Sequence, residues 1–199
     1  MAVSEDILRE NYRRLSDDKL LRIVSEDAVR LRPEALALLQ DELRTRGLAE
    51  VAEQSVQAQF RVLDEAGVQE YCALLQAQPC PLCQSAARPL NATITSKVLS
   101  FLVMTTQKKA FAIACPGCLD TLSREANTSS ALLGWWGVPW GLIRTPQALI
   151  FNNKMAKGHH LPYANDLLKA FVVSNVGRIE AAKGNPADLQ NIIRAPRLG

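Results

Sequence analysis

Histidine is almost missing from this chain: there are two in 199 residues, and they stand side by side as His159 and His160. Neighbouring side chains diverge on regular structure, so the pair makes poor co-ligands for one metal. Also missing are a Gly-rich phosphate loop, a His-Glu-x-x-His helix, a nucleophile elbow and any evident acid/base pair. These absences remove the enzyme classes that announce themselves by motif. Long apolar runs are missing too: Val98–Met104 is short, and residues 131–143 give 13 positions before Arg144, against about 20 for a membrane-spanning helix. The opening Met-Ala-Val-Ser-Glu-Asp is too polar for a secretion signal, so the expectation is a reducing compartment, most simply the cytoplasm.

What is present is a composition that folds, with 48% hydrophobic and 22% charged residues. The net charge of +3 hides an asymmetry. Residues 1–79 carry 10 Lys and Arg against 15 Asp and Glu, whereas residues 80–199 carry 13 against 5. A basic back half favours anionic partners, either nucleic acid or a membrane surface, though its cations are scattered and Lys108-Lys109 is the only adjacent pair.

Four of the five cysteines form two Cys-x-x-Cys pairs, Cys80/Cys83 and Cys115/Cys118, separated by 31 residues. Each pair folds two sulfurs onto one side of a tight turn, and four thiolates predict one closed tetrahedral Zn²⁺. A closed site supports folding and leaves no coordination position for substrate. Four thiolates also suit iron, so ligand count alone does not separate the two metals. Cys72 stands apart on an apolar face and reads as a small buried residue.

The first 50 residues read as helices. Leu8, Tyr12 and Leu15 repeat at helical spacing, Ser16 before Asp17-Asp18 reads as an N-cap, and Pro33 opens a helix that Gly47 closes. Residues 49–66 suit a weakly buried helix or helical linker, and residues 68–77 resume an apolar pattern. The Ser16–Leu48 stretch, ending Glu42-Leu43-Arg44-Thr45-Arg46-Gly47-Leu48, resembles a short helical module at the front of many bacterial proteins. That module has no assigned chemistry, so the resemblance implies docking or scaffolding at most.

Between the cysteine pairs the chain is rich in Thr, Val, Ile and Phe, which predicts about three antiparallel strands near Leu90–Thr95, Val98–Met104 and Ala110–Ala114. The polar Gln107-Lys108-Lys109 is the expected hairpin turn. Sheet and cysteine turns together read as a zinc ribbon. A polar helical segment from Asp120 to Ser130 follows, and then Gly134-Trp-Trp-Gly-Val-Pro-Trp-Gly141, which holds every tryptophan of the chain. Glycine and proline there break regular helix, and a new helix is expected near Thr145-Pro146. Residues 152–163 read as a loop. The chain closes with a helix through Leu168, Phe171, Val172, Val176 and Ile179 and a short one after Pro186.

Cys80, Cys83, Cys115, Cys118, the Gly134–Gly141 segment, Arg144 to Pro146 and Asn152 together resemble a mainly bacterial family of uncharacterised zinc-ribbon proteins. The resemblance covers about residues 78–155 and implies zinc binding with no assigned reaction. Ribbons often carry Gly straight after a knuckle, where this chain has Gln84 and Leu119.

The expected architecture is α+β: a helical module over 1–78, a four-cysteine zinc ribbon over 79–120, and a helical hairpin with C-terminal helices over 121–199 packing on the ribbon. The expected function is a zinc-stabilised, non-enzymatic interaction or scaffold protein of the cytoplasm. Trp135, Trp136, Trp140 and Arg144 are its candidate surface for a protein partner or for peripheral attachment to an anionic inner membrane. A core role for the tryptophans competes with that reading. Two alternatives stay open: a nucleic-acid-binding ribbon using Lys97, Lys108 and Lys109, and an enzyme using Cys72 or His159.

Overall fold

The computed structural model describes residues 5–60, 64–102 and 104–196. Among them it is an α+β protein with nine α-helices and one two-stranded antiparallel sheet. The described residues form two compact units: one up to Tyr71 together with Val172–Asp188, the other Cys72–Phe171 together with the residues from Leu189 onward.

The first unit is helical. It contains α1 (Glu5–Arg14), α2 (Asp17–Asp27), a 3₁₀ turn at Ala28–Arg30, α3 (Pro33–Thr45), α4 (Ala49–Phe60) and, as far as Tyr71, α5 (Glu65–Gln76). Leu20, Val24, Leu39, Leu43, Ala52 and Val56 are buried together at its centre. The expected boundaries of α3 hold. Pro33 is its first residue, and Gly47 takes φ 76° while the Leu48 N–H donates back to the Leu43 carbonyl at 2.9 Å, a left-handed stop. Arg46, one residue earlier, donates to the carbonyls of Arg13 and Leu15 at 2.9 and 2.8 Å and pairs with Asp17 and Glu42. It thereby satisfies the open carbonyls at the end of α1. Ser16 stands at the N-cap of α2, but its side chain makes no capping bond.

The second unit is built on a hairpin, β1 (Asn91–Phe101) and β2 (Met104–Ala114), paired from Asn91↔Ala114 to Phe101↔Met104. The expected three strands are therefore two long ones. Gln107-Lys108-Lys109 runs inside β2, and the chain reverses after Phe101. Leu102 takes φ 52°, the left-handed geometry that tight hairpin turns require there. Val103, at the end of an expected strand, lies outside the described residues.

Two helices pack on β1: α6 (Pro116–Leu133) and α7 (Trp140–Ala156). The outer edge of β1 would expose unpaired backbone groups, and side chains of these helices and of the segment that follows α7 occupy it. Asn152 accepts from the Ser96 N–H at 2.7 Å and donates to the Ser96 carbonyl at 2.8 Å, as another strand would. The Ser130 hydroxyl accepts from the Val98 N–H, and Asn165 donates to the Ala92 carbonyl. The helix expected near Thr145-Pro146 starts earlier, at Trp140, with Pro146 inside it. It also runs through residues expected to be loop, so that only 157–165 remain irregular before α8 (Asp166–Ala182). The last helix is α9 (Pro186–Arg194), whose Leu189, Ile192 and Ile193 are buried.

Candidate functional site

The base of the hairpin carries the cysteines. The first pair forms a turn closed on both sides: the Gln84 N–H donates to the Cys80 carbonyl, and the Cys80 N–H to the Ser85 carbonyl, each at 2.9 Å. Gln84 sits at φ 59°, so a glutamine occupies the left-handed position where glycine fits best. The second pair is not a second turn of that kind. Cys115 follows β2 directly and is the N-cap of α6, Pro116 is the first helical residue, and Cys118 lies in the first turn. The expected ribbon is thus a knuckle, a hairpin and a helix end.

The four sulfurs all lie within 4.8 Å of one another, with Cys83 and Cys115 3.6 Å apart. Metal–sulfur bonds of about 2.3 Å at tetrahedral angles place sulfurs about 3.8 Å apart, so the donor set fits a single four-coordinate ion. Four thiols this close cannot all ionise without a cation. Burial pushes Cys80 up, but N–H groups of Cys115, Cys83 and Leu82 outweigh it and hold the thiol down to about 7. Burial and the neighbouring sulfurs push Cys118 well above the ordinary thiol range, and burial raises Cys115. Cys80 is fully buried and Cys83 is exposed, so the ion would sit with one side to solvent.

Beside this site, Asp120 in α6 holds both histidines. Its two carboxylate oxygens lie 2.8 Å from His159 Nδ1 and 2.7 Å from His160 Nε2. Burial raises the Asp120 carboxyl, but the two imidazoles outweigh it and hold it below the usual carboxylate range. The other nitrogen of His159 lies 2.9 Å from the Thr93 hydroxyl. Carboxylate, imidazole and hydroxyl in a row have the order of a proton relay, yet His159 and Thr93 are both fully buried inside the unit. The arrangement ties α6 and the end of α7 to β1. Cys72 is likewise buried and stands outside the cysteine cluster.

The other end of the hairpin is apolar and open. Trp135, Trp136 and Trp140 are 40%, 71% and 55% exposed, so they do not fill the core. The glycines around them do the packing. A side chain at Gly134 would strike the Ser130 carbonyl and Thr145, and one at Gly137 would strike Ser100 and Thr105 of the hairpin. The Trp136 indole N–H donates to the Leu132 carbonyl at 3.0 Å, and the Arg144 guanidinium lies 5.8 Å from the Trp140 ring centroid. Sequence reasoning missed the neighbours of this segment: Phe101, Leu102 and Met104 at the hairpin tip are all more than two-thirds exposed. Their signal was the apolar run Val98–Met104, which only Ser100 interrupts.

The lysines do not form one patch. Lys97 and Lys108 are directly opposed across the strands and line a cleft of about 670 Å³ with Arg124 and Glu125. Lys109 alternates to the other face and lies over the Phe151 ring. Among the described residues no helix is long and apolar enough to cross a membrane. No family model matches the chain, nor does any curated protein or solved structure.

Proposed function

We propose that this chain is a zinc-stabilised interaction protein that catalyses no reaction and docks through the open end of its hairpin unit. One observation carries the reading: large apolar residues are exposed together at the end of the hairpin remote from the cysteines, roughly 35 Å away along 11-residue strands. A two-stranded hairpin is marginal on its own, and a metal at its base supplies the rigidity that such a display needs. Zinc is the ion of choice because it accepts four thiolates without redox chemistry. The enzyme alternative loses support from the burial of Cys72 and His159.

Two measurements test it. Elemental analysis of the purified protein should give about one zinc per chain, lost on Cys80→Ser; a metal-free chain with the same fold would sink the metal half. A photo-crosslinking amino acid placed at Trp136 in living cells should capture a macromolecule or lipid, while the same probe at Arg14 of α1 should not. Equal yields at the two positions would remove the docking half.

A further inference from the structure

We propose that the docking partner of the open end is the surface of an anionic phospholipid bilayer, into whose headgroup layer Phe101, Leu102, Met104, Trp136, Val138 and Trp140 insert. This rests on the docking reading and names its partner. The first support is the distribution of charge. Residues 98–107 and 126–143, which form the hairpin tip and the aromatic segment, carry no charged side chain at all. In the rest of the unit the charge is of one sign in excess: its described residues, within 72–171 and 189–196, include 10 Lys and Arg against 3 Asp and Glu. A protein-docking patch ordinarily has a polar rim of mixed character. An uncharged aromatic tip backed by cations is the pattern of a membrane-surface anchor.

The second support is depth. Strand alternation puts Phe101 and Lys97 on one face of β1, and their partners Met104 and Lys108 beside them on β2. Four strand residues separate tip from lysines, about 13 Å, and a lysine stem reaches back over part of that distance. On α7, Arg144 follows Trp140 by one turn, about 6 Å. Interfacial segments bury their apolar face by about 5–10 Å, so these cations fall at the level of lipid phosphates.

The third support is an unanswered repulsion. Like charges directly opposite across strands are unfavourable, and no ion pair among the described residues engages Lys97, Lys108 or Arg124. Glu125 is the one carboxylate lining their cleft, whose remaining polar lining includes the hydroxyls of Thr95 and Thr128. Cations and hydroxyls facing one cleft suit a phosphate oxyanion. Nucleic acid offers the same phosphates, but Leu102, Met104 and Val138 can neither stack on bases nor hydrogen-bond to them.

The test uses the full-length, zinc-loaded protein and vesicles of equal parts phosphatidylglycerol and phosphatidylcholine, with pure phosphatidylcholine as control. Because every tryptophan lies in residues 135–140, intrinsic fluorescence reports this end alone. Co-flotation with the anionic vesicles, a blue shift, and quenching by lipids brominated in the acyl chain are expected, with much weaker binding to the control. Phe101→Ser with Trp136→Ser should abolish flotation while zinc content and circular dichroism stay unchanged. Lys97→Gln with Lys108→Gln should weaken binding to anionic vesicles by about fivefold per lysine. Failure to float in both vesicle types overturns the inference. If Trp136 still crosslinks to a protein in cells, the docking reading survives that failure. Binding to a nucleic acid that ignores Phe101→Ser and Trp136→Ser but is lost with the lysines also overturns it, as does a concentration-dependent dimer that those apolar substitutions dissolve.

Discussion

Two adjacent histidines share one carboxylate and have opposite surroundings. The side chain of His159 is fully buried and spends its second nitrogen on Thr93, whereas that of His160 is 57% exposed. Removing the first leaves a cavity, a buried hydroxyl without its partner, and a half-satisfied Asp120. His159→Ala is therefore expected to cost about 3 kcal/mol in urea unfolding of the metal-loaded protein, and His160→Ala under about 1 kcal/mol. Equal costs would mean that His159 does not clamp β1. Gln84 makes a different case. At φ 59° its backbone carries strain that glycine relieves, while its side chain donates to the Pro81 carbonyl at 3.2 Å. Gln84→Gly is accordingly expected to be neutral or to stabilise by up to about 1 kcal/mol, read as a shift in the unfolding midpoint.

Among the elements, β1 depends on side chains for its outer edge. Asn152 supplies one donor and one acceptor to Ser96 and also donates to Asn127 at 2.7 Å. Asn152→Leu keeps the volume but leaves a buried N–H and a buried carbonyl unmet, for an expected loss of about 2–5 kcal/mol and faster amide exchange at Ser96 and Val98. Unchanged exchange there would show that water replaces the amide. The sequence made some elements plain and hid others for physical reasons. Pro33 and Gly47 act through local backbone geometry, and their helix reads directly. The four cysteines are legible as one cluster because the two-residue spacing keeps the sulfurs of each pair together and the hairpin brings the pairs side by side. The hairpin turn is not, because Leu102 adopts a left-handed conformation better suited to glycine while a polar triplet five residues on imitates a turn. Pro146 misleads in the opposite direction: packing of α7 on β1 carries the helix through a residue that locally reads as a start. Pro116 gave a true helix-start signal that the knuckle pattern masked.

For the whole molecule, the candidate metal ligands all belong to one of the two units. All four candidate ligands lie within residues 72–171, while the helical unit has its own buried centre of Leu20, Val24, Leu39 and Leu43 and holds no cysteine. Structural zinc contributes on the order of 10 kcal/mol at neutral pH, comparable with the entire stability of a small domain. A strong chelator should therefore collapse amide protection in β1, β2 and α6 while α1 to α4 keep theirs, as followed by hydrogen exchange with mass spectrometry. Acid should do the same by another route, because protons compete with the metal for sulfur. The thiol of Cys118, pushed far up when no cation is present, is protonated throughout the neutral range, so its binding to metal must expel a proton. Affinity then falls as pH falls, and metal release should precede unfolding of the helical unit. Loss of protection in both units together, or none in either, would mean that the cysteine cluster does not hold the hairpin in its folded form. The open end should respond in step. If the metal holds the hairpin straight, chelation will also disperse the aromatic surface, and the Trp136 crosslink should vanish with the hairpin's protection although no tryptophan touches the ion.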